Sequence, residues 1–135
     1  MTARSERALV DTSAWIEILR ERGDAATRDE VRELFSAGNA VLCDLVLVEL
    51  WNGARSREDQ ETLRLLESNL ECVPTTDEVW RQARRSARLA RSAGLTLPAS
   101  DLVIAACARV HGLRLLHRDS HFERLESIRS GKPDR

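Results

Sequence analysis

The chain alternates between short runs of apolar residues and longer segments in which apolar positions recur every three or four residues. The short runs predict strands at 8–10, 40–43, 70–73 and 113–116, and continuous apolar runs are typical of strands buried on both faces. The longer segments predict a helix that contains residues 15–19 and further helices at 25–37, 44–54, 58–68, 77–92, 101–111 and 120–128.

This alternation of strands and helices predicts an α/β fold. A strand that returns to the same sheet through a helix runs parallel to its predecessor, and the crossover is right-handed in nearly all proteins. We therefore expect a three-layer α/β/α sandwich around a central, mainly parallel sheet of four to five short strands. The 135 residues contain no repeat or linker, so residues 1–135 are expected to form one domain, with a short polar tail from about 130 to 135.

The composition is that of an ordinary globular protein, with 42% hydrophobic and 32% charged residues. No apolar run approaches the roughly 20 residues that a membrane span needs, and no apolar signal region follows the polar start. We therefore expect a cytoplasmic protein without a membrane partner. Cys43, Cys72 and Cys107 are odd in number, far apart and set in apolar runs, which predicts buried free thiols rather than disulfides or a zinc site.

Four carboxylates stand where a plain fold would not place them. Asp11 directly follows the first strand, and Asp119 comes three residues after the last one. Because ligands of open parallel sheets bind beyond the carboxyl ends of the strands, both acids are expected at that edge. Glu49 interrupts an apolar helix that is expected to be buried. Asp101 begins another such helix and is the single acid among eight arginines in residues 81–118.

Three of these acids also have ordinary interpretations. Asp11 and Asp101 could cap helix N-termini, and Asp119 could stabilise a turn, whereas Glu49 would be an unpaired charge in a buried helix. Together the four predict one acidic pocket, which needs a cation because neighbouring carboxylates raise one another's pKa. Carboxylate oxygens without paired Cys or His ligands favour Mg²⁺ or Mn²⁺ over Zn²⁺, and such ions activate water for phosphodiester hydrolysis.

The four acids lie in four short motifs that follow one another in order along the chain. The motifs are VDTSAWIE at 10–17, VELWNGAR at 48–55, SDLVIAA at 100–106 and LLHRDSHF at 115–122. In this order and spacing they resemble the PIN-domain nucleases, and in particular the VapC toxins of bacterial VapBC toxin–antitoxin pairs. The resemblance covers essentially the whole chain. It implies a PIN-like sandwich and a Mg²⁺- or Mn²⁺-dependent endoribonuclease that acts as the toxin of a type II pair.

The resemblance also implies roles for individual residues. The metal ligands and catalytic acids would be Asp11, Glu49, Asp101 and Asp119, and Ser13 or Thr12 would hydrogen-bond among them and orient them. Members often have a further acid where this chain has His121, and a threonine where it has His117. We therefore expect four carboxylate ligands, with one ion at rest and a second that arrives with RNA. The implied partners are a second copy of the chain, forming a homodimer, and a VapB-like antitoxin that places a basic side chain against the acids.

Residues that contact the substrate are less clearly marked. Five arginines recur at helical spacing opposite an apolar row that contains Val79, Ala83, Ala87 and Ala90; they are Arg81, Arg84, Arg85, Arg88 and Arg91. They form either a solvated helix face or a stripe that binds RNA phosphates through Arg85 and Arg88. Thr12 and His121 are expected to line the substrate site. The tryptophans, Trp15, Trp51 and Trp80, are expected in the core.

The sequence lacks residues that three other classes of protein of this size require. A phosphotransfer receiver domain needs an acidic pair after the first strand and a lysine after the last, but Asp11 stands alone and Lys132 is the only lysine. A haloacid-dehalogenase-like phosphatase needs a second aspartate where this chain has Ser13. A dinucleotide-binding module needs a glycine-rich turn there. A PIN-like RNA-binding module with weak or no hydrolysis is the non-enzymatic alternative, although all four acids are present.

Overall fold

Four strands and seven helices make up the part of the chain that the computed structural model describes, residues 6–20 and 23–129. The strands are β1 (Ala8–Val10), β2 (Ala40–Cys43), β3 (Glu71–Val73) and β4 (Arg114–Leu116). The helices are α1 (Thr12–Leu19), α2 (Ala25–Ser36), α3 (Asp44–Gly53), α4 (Arg57–Asn69), α5 (Asp77–Ser92), α6 (Ala99–Val110) and α7 (Ser120–Arg129). Every predicted element is present, and the expected polar tail at 130–135 lies outside the described residues.

The strands form one sheet in the order β3-β2-β1-β4, and all three pairs are parallel. Leu9 in β1 is in register with Val41 in β2 and Leu115 in β4. Every residue of β1 and β2 is buried, because these strands lie in the middle of the sheet with helices packed against it. The expected α/β sandwich with a parallel sheet is therefore confirmed.

The parallel arrangement brings the ends of the two strands that precede Asp11 and Asp119 together. The amide of Asp11 donates to the carbonyl of Leu116 over 2.9 Å, which joins the end of β1 to the end of β4. Both loops therefore leave the sheet at the same edge, where a ligand site of an open parallel sheet is expected.

Some burial predictions were wrong. Cys43 and Cys107 are buried, but Cys72 is exposed because β3 is the edge strand of the sheet. Among the tryptophans, Trp15 is buried, Trp51 is half-buried and donates to Glu67, and Trp80 is 47% exposed.

Two further features of the helices complete the description of the fold. Helix α3 is buried along one face only, and its Val48 is 61% exposed, so this helix is less enclosed than its composition indicates. Among the described residues, no helix combines the length and apolar character that crossing a membrane requires.

Candidate active site

Asp11 both caps a helix and contributes a carboxylate to the site. It precedes α1 in an extended conformation, and its Oδ2 accepts from the amide of Ser13 over 3.0 Å and from the Ser13 hydroxyl over 2.6 Å. The residue is only 3% exposed, and its Oδ1 is buried without a hydrogen-bond partner in the structure. A buried carboxylate oxygen without a donor among the described residues is unfavourable, so this atom is a candidate metal ligand.

Glu49 reaches the same site from α3. The hydroxyl of Thr12 donates to its Oε1 over 3.0 Å. Burial raises the pKa of Glu49, and the negative charges of Asp11 and Asp101 raise it further, while the bond from Thr12 acts in the opposite direction. The ionised form is therefore disfavoured unless positive charge is supplied.

Asp101 lies within the first turn of α6 and does not cap it. The N-cap position belongs to Pro98, which makes no side-chain capping bond, so the cap interpretation of Asp101 is wrong. Burial raises the pKa of Asp101, as do the charges of Asp119 and Asp11, although a hydrogen bond from His121 lowers it. Asp101 therefore interacts electrostatically with all three of the other acids.

Asp119 and His121 complete the group from the start of α7. The amide of His121 donates to Oδ1 of Asp119 over 2.9 Å. The ring nitrogen Nδ1 of His121 lies 2.9 Å from Oδ2 of Asp101 and 3.0 Å from Oδ1 of Asp119. Asp101, Asp119 and His121 each offer one ligand atom, and these atoms lie within 4.8 Å of one another.

The two predicted hydroxyl residues contact different acids. Ser13 holds Asp11, and its oxygen also accepts from the amide of Arg118 over 2.9 Å, which ties the loop after β4 to α1. Thr12 holds Glu49, so it orients an acid in the described structure rather than standing free at the surface. Among the described residues, Asp101, Asp119 and His121 are the group whose ligand atoms have metal-site spacing. Asp11 and Glu49 lie outside that group but act electrostatically on Asp101 or are acted on by it, so the four acids share one region of negative charge.

Arg85 and Arg88 do not join this cluster in the described structure. With Arg81 and Arg84 they line an open depression of about 380 Å³ on α5, together with Glu78 and Gln82. Arg81 pairs with Glu78 over 2.8 Å. These arginines therefore form a positively charged surface separate from the acids.

Two cationic residues that sequence reasoning missed share a groove with a residue that contacts Asp119. Arg109 and Arg129 line a groove of about 330 Å³ that also includes His117, whose Nδ1 accepts from the amide of Asp119 over 3.3 Å. Burial lowers the pKa of Arg129, and the positive charges of Arg109 and Arg85 lower it further. Neither arginine belongs to a periodic series, so only the packing of α6 against α7 reveals the pair.

Residues 8–128 match the family model of the PIN domain. The chain belongs to the PIN domain family. Among its relatives, ribonuclease VapC11 of Mycobacterium tuberculosis is 37% identical over 124 residues, which cover 89% of this chain and 92% of that protein. Ribonuclease VapC21 of the same species is 35% identical over 106 residues, 76% of this chain and 77% of that protein.

Solved structures share the architecture of this PIN domain at lower sequence identity. The crystal structure of VapBC2 from Rickettsia felis bound to a DNA fragment from their promoter has a TM-score of 0.72. It is 19% identical and covers 87% of this chain and 91% of that chain. At this identity the likeness shows the fold alone, and the function of the chain must be argued from its site.

Proposed function

We propose that this PIN domain is a divalent-metal-dependent endoribonuclease that hydrolyses RNA phosphodiester bonds with water. The observation that carries the proposal is the convergence of four carboxylates on one site in which Oδ1 of Asp11 is buried without a partner. The relatives at 35–37% identity are named ribonucleases, which supports the same class of substrate.

The cluster fits Mg²⁺ or Mn²⁺ held by Asp11, Glu49, Asp101 and Asp119. Such an ion would lower the pKa of water and offset the negative charge that develops on the phosphate. The chain supplies the orientation of the acids, since Ser13 and Thr12 each hold one of them by a hydroxyl. The Ser13 hydroxyl is engaged as a donor to Asp11 and as an acceptor from Arg118, so it is a positioning group rather than a nucleophile.

RNA would approach the acids along the positively charged side of the molecule. Arg109 and Arg129 line the groove that reaches His117, and His117 contacts the backbone of Asp119. Arg85 interacts electrostatically with Arg129 and connects this groove to the arginines of α5. We propose that these side chains bind phosphates on one side of the scissile bond, because arginines at a surface attract the RNA backbone without reading its sequence.

The activity is tested by comparing the unmodified chain with Asp11→Asn and with a control, Asp29→Asn, which changes an exposed acid on α2. Each form is produced alone in bacterial cells, growth is followed, and new RNA 5′ ends are mapped. We expect growth arrest and discrete cuts from the unmodified chain and from Asp29→Asn, and neither from Asp11→Asn. Equal toxicity without new ends in all three forms would favour the RNA-binding module without hydrolysis.

We further propose a VapB-like antitoxin as the partner, so that the chain is the toxin of a type II pair. Trp15, Ile18, Phe35 and Leu66 line an apolar groove of about 310 Å³ between α1, α2 and α4. Leu19 borders both this groove and a smaller cavity that contains Thr12 and Glu49. An apolar segment in the groove would therefore lie next to the acids, and a basic side chain beyond it would meet their negative charge.

The expected homodimer is the remaining proposal about assembly. Large apolar side chains outside the groove are exposed, among them Val48 at 61% and Leu65 at 64%. A second copy that covered one of these surfaces would remove apolar area from water. Sedimentation of the purified chain over a range of concentrations tests this, because a monomer at all concentrations contradicts it.

A further inference from the structure

One ring nitrogen of His121 contacts two of the four acids. Nδ1 lies 2.9 Å from Oδ2 of Asp101 and 3.0 Å from Oδ1 of Asp119. Ionised carboxylates only accept hydrogen bonds, so Nδ1 is the donor in the tautomer that satisfies both contacts. The nitrogen and the two oxygens form one compact group of candidate ligand atoms.

Two of the three distances among these atoms suit neighbouring ligands of a small divalent cation. With ligand bonds of about 2.1 Å, adjacent ligand atoms in an octahedron lie about 3.0 Å apart. Both nitrogen–oxygen distances match this value, and all three candidate ligand atoms fall within 4.8 Å. The ring nitrogen of His121 is therefore placed as a ligand beside both oxygens.

A separate observation concerns the acid next to this group. Asp11 is 3% exposed, and among the described residues its Oδ1 has no hydrogen-bond partner. Asp11 interacts electrostatically with Asp101, which is one of the acids that His121 contacts. The charge of a buried, unpartnered oxygen therefore acts on the group that contains His121, and a cation held by that group would offset it.

We propose that His121 is a nitrogen ligand of the metal together with Asp101 and Asp119, and that the site consequently prefers Mn²⁺ to Mg²⁺. This inference rests on the proposed metal-dependent function and narrows its choice of ion. Mg²⁺ is held by oxygen ligands in proteins, whereas imidazole suits transition metals and carboxylates suit Mn²⁺ as well. A mixed nitrogen and oxygen set therefore favours Mn²⁺ over Mg²⁺ when these two ions compete.

Pulsed electron paramagnetic resonance of Mn²⁺ bound to the full chain tests the ligand directly. We expect modulation from a directly coordinated ¹⁴N nucleus. It should disappear in His121→Asp, which restores an all-oxygen set, and persist in His117→Gln. The second variant is a matched control, because His117 lies in the segment just before α7 and its Nδ1 contacts the amide of Asp119 instead of a carboxylate. Bound Mn²⁺ without nitrogen coupling in the unmodified chain would overturn the proposal.

Calorimetric titration distinguishes a ligand from a simple counter-charge. If His121 ligates the metal, His121→Ala lowers Mn²⁺ affinity by at least about tenfold, as loss of a metal-site contact commonly does. In His121→Asp the preference for Mn²⁺ over Mg²⁺ falls by a similar factor. A histidine that only neutralises the acids competes with the metal, so its removal would raise the affinity and contradict the proposal. Thermal unfolding of the metal-free variants verifies that each one is folded.

Failure of this inference can be separated from failure of the proposed function. Mn²⁺ that binds without nitrogen coupling, combined with RNA cuts that Asp11→Asn abolishes, refutes the role of His121 and leaves the metal-dependent nuclease intact. An unmodified chain that binds neither Mn²⁺ nor Mg²⁺ and makes cuts that Asp11→Asn does not change refutes both.

Discussion

Two adjacent hydroxyl residues at the start of α1 each hold a different acid by a hydrogen bond. Thr12 donates to Glu49 on α3, and Ser13 donates to Asp11 and accepts from the loop that precedes Asp119. Because neighbouring residues of a helix point in different directions, one short segment can orient acids that come from separate parts of the chain. The acids are then held near one another before any cation binds.

Replacing Ser13 by alanine should therefore weaken metal binding more than folding. The variant loses the 2.6 Å bond to Asp11 and the acceptor for Arg118, while the capping bond from its own amide is kept. We expect metal affinity to fall by roughly tenfold to a hundredfold, and unfolding to cost about 1 kcal/mol less. Calorimetry measures the first effect and thermal unfolding the second.

Ser68→Ala is the matched control for this variant, because the Ser68 hydroxyl donates to a backbone carbonyl on the exposed side of α4. It should leave metal affinity unchanged. If Ser13→Ala bound the metal as tightly as the unmodified chain, Ser13 would not position the acids.

Replacing Glu49 by glutamine should stabilise the metal-free protein at neutral pH. Burial and the charges of Asp11 and Asp101 raise the pKa of Glu49 above its ordinary value of 4.5. A raised carboxyl pKa means that the stabilising contribution is complete below the ordinary value and is lost as the pH rises through the raised one. A glutamine side chain does not ionise, so this loss of stability does not occur. Its amide oxygen can still accept the hydrogen bond from Thr12. At pH 7.5 we expect Tm to rise by about 2–4 °C, allowing for solvent screening of this half-buried group.

The pH and the metal provide the checks on this prediction. The difference in Tm should shrink as the pH falls towards 4, where the unmodified Glu49 is protonated in the folded protein. Added Mn²⁺ should raise the Tm of the unmodified chain above that of Glu49→Gln, since only the unmodified chain offers the full set of carboxylates. Glu61→Gln, an exposed change on α4, should show neither effect. A lower Tm for Glu49→Gln at pH 7.5 would contradict the argument.

At the scale of a secondary-structure element, helix α5 has one buried face and one exposed, positively charged face. Its buried face contains Val79, Ala83, Ser86 and Ala90, and its arginines lie on the exposed side. Changing Arg85 and Arg88 to glutamate should leave the fold intact, because neither side chain is buried. If the arginines bind phosphates, RNA binding weakens and the salt slope falls by about 1 for each contact that is lost.

Fluorescence anisotropy with a metal-free or Asp11→Asn background measures this binding without cleavage. Arg57→Glu, an exposed change at the start of α4, is the control and should have a much smaller effect. An unchanged affinity and salt slope in the Arg85 and Arg88 variant would show that α5 presents only a solvated face.

The elements themselves could be predicted from the sequence because strands and helices leave different apolar periods. Burial was harder to predict where tertiary position decides it. Cys72 has apolar neighbours but lies on the edge strand, and Trp80 follows buried Val79 on α5 and therefore points outwards. Local patterns contain no information about which strand is at an edge.

The candidate site could likewise be predicted from the sequence only in part. The acids were recognisable because each interrupts, begins or follows an apolar element, and in the structure their charges act on one another. The separate tasks of Thr12 and Ser13, the double contact of His121 and the groove of Arg109 and Arg129 depend on distances between residues far apart in sequence. The alternative interpretation of Asp101 as a helix cap is wrong because α6 begins two residues earlier than predicted, at Ala99.

For the molecule as a whole, the acid cluster and the apolar groove lie side by side. Leu19 borders both the groove and the cavity next to Glu49, so a partner seated in the groove would also restrict access to the acids. Phe35 is 43% exposed on α2 and lines the groove, but it does not line the cavity that contains Glu49. It therefore allows partner binding to be changed separately from catalysis.

Phe35→Asp should weaken binding of the cognate antitoxin while RNA cleavage is retained. The substitution places a charge in an apolar groove, and truncation of a large aromatic contact at an interface commonly costs about 2 kcal/mol or more, roughly thirtyfold in affinity. The chain and antitoxin are produced together, and their association is measured by calorimetry, with cleavage assayed on the separated chain. Leu65→Asp is the control, because Leu65 is 64% exposed on α4 but does not line the groove. Equal antitoxin affinity in Phe35→Asp and the unmodified chain would exclude the groove as the docking site, even if the nuclease activity is confirmed.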